Sequence, residues 1–232
     1  MAFLTGNDRS TYVQKMFTRI AKRYDLMNTL MTAGGDNRLR KEAVRLANLK
    51  LEDKVLDLGA GTGMLTVEAA RVIPGRNIYP SDFTFEMLLR GSRWGDSEPC
   101  CADALQLPYA DGQFDVVMSG FLVRNVGNLQ GALVEQFRVL KPGGRLIILD
   151  ATQPRKNIFS PLVNLYLKVV IPALGKMITG QTAAYQYLPE STRQFLLAEE
   201  LTQRVKEAGF TKITFRIRMF GTMAIHTAQK PD

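Results

Sequence analysis

Residues 55–63 read V-L-D-L-G-A-G-T-G, and this stretch decides the fold. An apolar run, Val55–Leu58, is followed by three alternate glycines and then by a helical pattern from Met64. We predict a strand, a tight turn and the start of a helix. A glycine turn can adopt positive φ and lie against a ligand, because glycine has no Cβ. The free N–H groups of the new helix favour anionic ligand groups, so the stretch is predicted to hold a cofactor.

The glycine spacing and a nearby acid indicate which cofactor this is. The glycines are spaced G-x-G-x-G, whereas the dinucleotide-binding turn reads G-x-G-x-x-G. Asp57 lies two residues before the first glycine, at the end of the predicted strand. Its carboxylate suits a ligand with a positive charge, such as an ammonium or a sulfonium. S-adenosylmethionine carries both groups, so the pattern indicates this cofactor.

Two further acids follow at the predicted ends of the next two strands. Asp82 lies about 20 residues beyond the glycine turn, where an acid can accept hydrogen bonds from two ribose hydroxyls. Asp103 follows the segment Pro99–Ala102 and could meet an adenine amino group. A glycine turn needed only for close packing would leave these acids unexplained. Three acids at three successive strand ends resemble the cofactor site of class I S-adenosylmethionine-dependent methyltransferases.

Strand and helix patterns alternate after the glycine turn, which predicts a doubly wound α/β sheet. Phe114–Ser119 and Arg145–Ala151 are nearly continuous apolar runs, as expected of parallel strands buried on both faces. Two last strands are predicted at Thr211–Arg218 and Thr222–Ala228. The predicted fold is a seven-stranded, mostly parallel, Rossmann-like sheet in a single domain. Its parts are an N-terminal helical lid over 1–50, a cofactor-binding core over 51–151, a helical, substrate-covering insert over 152–197, and a C-terminal helix and strands over 198–232.

Four local features carry more specific expectations. Residues 9–50 read as helices with a break near Thr32–Asp36. Tyr24–Asn28 contains two poor helix formers, so we expect an irregular lid over the cofactor there. The helix after the glycine turn is predicted to span Met64–Ile73, and Lys141–Gly144 is expected to form a turn.

The composition bounds the class of protein. The chain has 232 residues, 46% of them hydrophobic, which suits one α/β domain with a full core. The first ten residues lack the apolar run of a secretory signal, and no apolar run reaches the roughly 18–20 residues of a membrane-spanning helix. Cys100 and Cys101 are adjacent, so they form no disulfide framework, and a cytoplasmic location is the simplest expectation. No metal-ligand spacing occurs, and no metal is expected.

The net charge of +8 raises two classes of partner, nucleic acid and an anionic membrane surface. Nucleic acid is not favoured, because no binding signature occurs and few aromatic residues lie among the basic ones. The apolar segment Pro161–Gly180 is either an ordinary core helix, a lid over an apolar substrate, or a patch that rests on a bilayer. The basic residues near the N-terminus either contact an anionic membrane or simply lie on helix faces exposed to solvent. They are Lys15, Arg19, Lys22, Arg23, Arg38, Arg40, Lys41 and Arg45.

Five motifs occur in one order: Y-D-L-M-N, L-D-L-G-A-G-T-G, R-N-V, L-K-P-G-G-R-L and Y-Q-Y-L-P-E-S. With them, the chain from about Tyr12 to His226 resembles the ubiquinone/menaquinone biosynthesis C-methyltransferases, the UbiE/MenG family. The resemblance implies methyl transfer from S-adenosylmethionine to a ring carbon of a prenylated quinol, most simply demethylmenaquinol. Peripheral association with the inner face of a membrane and a homodimer stay open.

The resemblance also implies roles for individual residues. Arg124 is expected to stabilise a phenolate, Asn125 to orient a hydroxyl or a water, and Tyr24 to relay a proton. A structural ion pair at a strand end is the alternative for Arg124. The lone histidine, His226, is interpreted as structural.

The binding residues fall into two groups. Those expected to line the substrate pocket are Tyr185, Tyr187 and Glu190, although packing of their own loop explains them equally well. Those expected to bind the cofactor are Asp57, Gly59, Ala60, Gly61, Gly63, Asp82, Phe83, Asp103, Ala104 and Ser119.

The chain departs from the family pattern around the substrate pocket, where Phe121–Val126 reads F-L-V-R-N-V and Arg40 stands where the family often has tryptophan. Two alternatives therefore stay open. One is the same fold acting on another small apolar acceptor by O- or N-methylation. The other is a cofactor-binding subunit without catalysis.

Overall fold

The computed structural model describes residues 6–32, 34–91, 94–153, 169 and 195–232. In this part of the chain, one sheet has the strand order β3-β2-β1-β4-β5-β7-β6. Strand β7 is antiparallel to both neighbours, and the pairs among β1–β5 are parallel. The predicted seven-stranded, mostly parallel sheet is confirmed. The strands are β1 (Val55–Leu58), β2 (Ile78–Asp82), β3 (Cys100–Cys101), β4 (Phe114–Gly120), β5 (Leu140–Ala151), β6 (Thr211–Arg218) and β7 (Met223–Gln229).

Helices cover both faces of the sheet, and β1 shows how the sequence directs this. Successive side chains of a strand point to opposite faces. Val55 therefore packs with residues of α3 and α4, and Leu56 packs with residues of α6 and α7. Asp57, two residues after Val55, faces the α3 and α4 side. The described helices are α1 (Gly6–Ile20), α2 (Tyr24–Met31), α3 (Gly35–Ala47), α4 (Met64–Ala69), α5 (Phe85–Arg90), α6 (Leu129–Val139) and α7 (Ala198–Glu207).

The strand order reverses between β1 and β4. From β1 the chain proceeds to β2 and β3 on one side, then returns to place β4 on the other side. Ligands of open α/β sheets bind at this point, outside the carboxyl ends of the strands. The glycine turn that follows β1 therefore lies where the fold offers a binding crevice.

The N-terminal helices differ from the expectation in two ways. Tyr24–Met31 is a regular α-helix, and the irregularity is the 3-10 turn Ala21–Arg23 before it. Asp25 lies in the first turn of α2, where the partial positive charge of a helix N-terminus favours an acid, so its poor propensity costs little. The expected break near Thr32–Asp36 separates α2 from α3. Helix α3 is not a lid, because its apolar residues pack against the sheet.

Two element boundaries also differ from the expectation. Helix α4 ends at Ala69 rather than Ile73, because the Ala69 carbonyl accepts from the N–H groups of Val72 and Ile73 in a closing turn. Strand β5 already begins at Leu140. The pairing of β5 with β4 shifts just after this residue, so the proline and two glycines expected as a turn form an irregularity inside the strand.

Most of the predicted insert lies outside the described residues. The expected substrate-lining residues Tyr185, Tyr187 and Glu190 belong to this part, as does nearly all of the apolar segment 161–180. Among the helices that the structure describes, none is both long enough and apolar enough to cross a membrane.

Candidate active site

The carboxyl ends of the central strands border a cleft of about 770 Å³, counted with the open space at its mouth. Val13, Gln14 and Phe17 of α1 form part of its wall, so α1 covers the cleft. The sequence-predicted residues that line it are Tyr24, Gly59, Gly61, Asp82, Phe83, Asp103, Ala104 and Asn125.

The glycine turn has the backbone conformation that the sequence predicts. Gly59, Gly61 and Gly63 have φ values of 73°, 58° and 85°, which other residues rarely adopt. A Cβ on Gly59 would lie 2.9 Å from Leu122 Cδ1. The Gly59 N–H group donates to the Ser81 carbonyl of β2 at 2.7 Å. The turn is thus fixed to the neighbouring strand, and a larger residue at Gly59 would be both strained and crowded.

Asp82 fastens the turn from the end of β2. Its Oδ2 accepts a hydrogen bond from the Gly61 N–H at 2.8 Å, and its Oδ1 accepts from the Thr84 N–H at 2.7 Å. Burial raises the pKa of the Asp82 carboxyl. Two carboxylate oxygens offer about four acceptor sites, so two backbone donors leave capacity for ligand hydroxyls.

Asp57 is fully buried at the end of β1, and half of its carboxylate lacks a protein partner. Oδ2 accepts from the Thr66 hydroxyl at 2.6 Å, whereas Oδ1 has no hydrogen-bond partner within the described residues. Burial raises the pKa of Asp57 to about 6. The residue lines a second, smaller cavity of about 310 Å³, again counted with the open space at its mouth. This cavity shares with the main cleft the residues Tyr24, Gly59, Gly61, Gly120 and Phe121.

Some of the other predicted cofactor-binding residues line a cavity, and the others do not. Asp103 lies at the cleft, where its Oδ1 accepts from the Leu105 N–H at 2.9 Å. Ala60 lines the smaller cavity. Gly63 and Ser119 line neither cavity. Gly63 precedes α4, and Ser119 is buried within β4, where the next residue, Gly120, is the one that reaches the cleft.

Tyr24 and Asn125 come together in the cleft wall, as predicted. Tyr24 lines both cavities and packs edge-on against Phe17, with ring centroids 5.6 Å apart. Burial raises the pKa of the Tyr24 phenol, so it keeps its proton at neutral pH. The Asn125 amide donates to the Phe121 carbonyl at 2.8 Å. Both side chains are therefore held in the wall of the same cleft.

Arg124 is placed differently, in a buried ion pair with Asp150 of β5. Its backbone N–H also donates to Asp150 Oδ2 at 3.2 Å, and its guanidinium lies 5.4 Å from the centroid of the Phe121 ring. Arg124 lines neither cavity, so the structure does not bring it to the cleft wall with Tyr24 and Asn125. The ion pair that the sequence left open is present.

Two contacts near the cavities escaped the sequence-based prediction. Thr62 of the turn donates to Asp25 Oδ1 at 2.6 Å and so joins α2 to the turn. Arg40 and Phe121 line the smaller cavity, and the Arg40 guanidinium lies 5.4 Å from the Phe121 ring centroid. Thr62 lies inside the glycine motif, which is a signal that could have been used. Arg40 and the segment Phe121–Val126 are both departures from the family pattern, but no motif in the sequence shows that Arg40 and Phe121 are in contact.

His226 lies away from both cavities. Its Nε2 is 2.9 Å from the Ala198 carbonyl oxygen, and burial lowers the pKa of its imidazole. This placement agrees with the structural role expected from the sequence.

The sheet order, the glycine turn after β1 and the acid at the end of β2 define a class I S-adenosylmethionine-dependent methyltransferase. Residues 5–230 match the ubiE/COQ5 methyltransferase family. The chain belongs to this family.

Individual relatives agree with this assignment, and one solved structure agrees with the fold. The chain is 42% identical over 222 residues to the ubiquinone/menaquinone biosynthesis C-methyltransferase UbiE of Desulfotalea psychrophila, covering 94% of this chain and 90% of the relative. It is 40% identical over 221 residues to the demethylmenaquinone methyltransferase of Thermus thermophilus, covering 93% and 100%. In structure it resembles a SAM-dependent methyltransferase of Thermotoga maritima, described as a possible histamine N-methyltransferase. The TM-score is 0.66 at 19% identity, with 93% and 99% of the two chains covered, so this likeness concerns the fold alone.

Proposed function

We propose that this chain transfers a methyl group from S-adenosylmethionine to a ring carbon of a prenylated quinol, most simply demethylmenaquinol. The single observation that carries the proposal is the cleft in which Asp82 and Asp103 share a wall with Tyr24 and Asn125. The names of relatives that align over nearly the whole chain support the choice of acceptor.

The residues present fit the methyl donor. The unpartnered Oδ1 of Asp57 suits the α-ammonium of the methionine end. Asp82 suits the two ribose hydroxyls, and the Asp103 and Ala104 loop suits the adenine. A side chain at Gly61 would crowd the cleft wall, because its Cβ would approach Met87 Cε at 3.3 Å. When bound, S-adenosylmethionine supplies an electrophilic methyl group on its sulfonium.

The chain's own residues orient the acceptor and stabilise its charge. A quinol carbon becomes nucleophilic as a ring hydroxyl loses its proton to solvent. With S-adenosylmethionine held by the glycine turn, Asp57 and Asp82, this carbon would receive its methyl group with cleavage of the C–S bond, and the ring hydrogen would then leave as a proton. Tyr24, protonated because of its raised pKa, can donate a hydrogen bond to the phenolate oxygen. Asn125 helps to position the ring. Arg124 serves as a positioning residue. Its guanidinium pairs with Asp150 and packs against Phe121, which lines the cleft.

One assay tests the proposal against its alternatives. The protein is incubated with labelled S-adenosylmethionine and a set of reduced prenylated quinones, and the methyl group is located by mass spectrometry and NMR. Transfer to a ring carbon is the expected result. Transfer only to oxygen or nitrogen would favour O- or N-methylation, and cofactor binding without any transfer would favour a non-catalytic subunit.

Asp57 makes cofactor binding dependent on pH. Because the pKa of Asp57 is about 6, the fraction of molecules in which this carboxyl is ionised and able to pair with an ammonium rises about tenfold between pH 5 and pH 7. The affinity for S-adenosylhomocysteine should rise with this ionised fraction and level off above pH 7.

In the unliganded protein the ionisation of Asp57 is destabilising, because its pKa in the folded state exceeds that of an exposed aspartate. This contribution therefore lowers the free energy of unfolding as the pH rises from 4 to 6.

Isothermal titration calorimetry across this pH range measures the effect. The control ligand is 5′-methylthioadenosine, which lacks the amino-acid end and should bind without the step near pH 6. A flat affinity for S-adenosylhomocysteine, or the same step with both ligands, would contradict the role of Asp57.

We also propose that the cleft mouth rests on an anionic membrane surface, from which a prenylated quinol could enter. Phe83, Phe85 and Leu89 are exposed around α5, and basic side chains on and after α1 are exposed nearby. We expect sedimentation with anionic vesicles at low salt, and release at about 0.5 M salt because screening removes most of the attraction between exposed charges. Neutral vesicles are the control. No binding at low salt would refute this surface.

A further inference from the structure

We infer that Arg40 and Asp57 together form a subsite for a zwitterionic amino-acid group, in which Arg40 binds the α-carboxylate and Asp57 binds the α-ammonium of the methyl donor. This inference rests on the proposed use of S-adenosylmethionine. It adds to the site a residue of α3, an element that otherwise only covers the sheet.

The smaller cavity has the charge pattern that such a group requires. Its lining contains one cationic side chain, Arg40, and one carboxylate, Asp57. The remaining lining residues are uncharged. An α-amino acid carries one positive and one negative group two bonds apart, so a cavity with one charge of each sign is complementary to it.

Both charged side chains are buried, and both have capacity for a ligand. Arg40 is 4% exposed and Asp57 is fully buried. A buried acceptor without a partner is unfavourable, and Asp57 Oδ1 is such an atom among the described residues. Among the described residues, Arg40 Nη1 donates a hydrogen bond to Asp36 Oδ2 at 2.5 Å. A guanidinium has five N–H donors, so the others can serve a carboxylate.

Arg40 is also held in one orientation before a ligand arrives. Asp36 accepts from Arg40 on one side, and Asp36 is itself bound by the Thr32 hydroxyl at 3.3 Å. The Phe121 ring packs against the same guanidinium. A fixed, planar guanidinium can bind a carboxylate through two parallel hydrogen bonds, and little side-chain entropy is lost when it does.

The smaller cavity continues into the cleft where the rest of the cofactor would lie. Tyr24, Gly59 and Gly61 line both spaces. The ribose-binding candidate, Asp82, is bound to Gly61 from the cleft side. A ligand whose ribose meets Asp82 can therefore extend its amino-acid end past the glycine turn toward Arg40.

The test separates the carboxylate from the rest of the ligand. The dissociation constants of S-adenosylhomocysteine, of its decarboxylated form and of 5′-methylthioadenosine are measured by calorimetry for the wild type and for Arg40→Leu. The wild type should prefer S-adenosylhomocysteine to the decarboxylated form by about 10–100-fold, the range expected for charge-assisted hydrogen bonds. Arg40→Leu should abolish this preference and leave the affinity for 5′-methylthioadenosine within about twofold of the wild type.

Two further variants keep the test decisive. Arg40→Leu leaves Asp36 buried without its cation, so Asp36→Asn/Arg40→Leu is measured beside it to remove that unpaired charge. Arg38→Leu, an exposed residue of the same helix, is the matched control and should retain the full preference. The inference is overturned if both Arg40 variants keep the preference for the carboxylate, or if they lose all three ligands equally. If the wild type binds none of the three ligands, the proposed function fails instead.

Discussion

Asp82→Asn is expected to weaken the binding of S-adenosylhomocysteine by about 100-fold or more. The carboxylate accepts from the N–H groups of Gly61 and Thr84, one on each oxygen, and lies in the cleft wall. An asparagine has one acceptor oxygen, so its NH₂ group would face one of these N–H donors. The negative charge for the ribose hydroxyls is lost as well. Hydrogen bonds to charged groups contribute about 1.5–3 kcal/mol each, and the loss of two of them exceeds a factor of 100.

Calorimetry at pH 7.5 measures this loss, and Asp103→Asn is the matched control. Asp103 is exposed and its hydrogen bond within the protein goes to its own turn, so the control should lose less than about tenfold. Thermal melts of both variants show whether the fold is retained. Equal losses for the two variants would contradict the assignment of Asp82 as the main anchor of the cofactor.

Asp150→Ala is expected to lower the free energy of unfolding by about 3–5 kcal/mol, because it leaves the buried Arg124 guanidinium without its carboxylate. The melting temperature should fall by roughly 6–20 °C for a chain of this size. The variant also removes the acceptor for the Arg124 N–H group. Chemical denaturation and differential scanning calorimetry measure the change.

Two comparisons identify the cause of this loss. Glu207→Ala removes the partner of Arg204 in an exposed pair on α7, with the two side chains 43% and 53% exposed, and should cost less than about 1 kcal/mol. The double variant Arg124→Leu/Asp150→Leu removes both buried charges and should be more stable than Asp150→Ala alone. If Asp150→Ala is no more destabilising than Glu207→Ala, the buried ion pair of Arg124 and Asp150 does not stabilise the fold more than an exposed pair does.

The parts of the site that could be predicted are those that a local stretch of chain determines. Val55–Gly63 contains both the buried strand and the glycines whose positive φ makes the turn, so its conformation follows from nine consecutive residues. Asp82 and Asp103 could be predicted because parallel strands end at the same edge of the sheet. Family resemblance then supplied Tyr24 and Asn125, which the structure brings to one cleft.

The parts that could not be predicted depend on partners that are distant in sequence. The ion pair of Arg124 is formed with a residue 26 positions later, on the neighbouring strand. Ser119 has the right place in the chain, but the alternation of β4 buries it one residue short of the cleft. The contact of Arg40 with Phe121 joins α3 to the loop after β4, and no motif encodes it.

The hydrogen bond between Thr62 and Asp25 links the helix over the cleft to the turn below it. The helix that carries Tyr24 is attached to the same turn that would hold the methyl donor, and α1 is attached to the loop after β2 through Gln14 and the Phe83 carbonyl. A donor that orders the turn therefore also favours the docked helices, and by reciprocity the docked helices favour the donor. We therefore expect the bound donor to raise the affinity for the acceptor, and the bound acceptor to raise the affinity for the donor by the same factor.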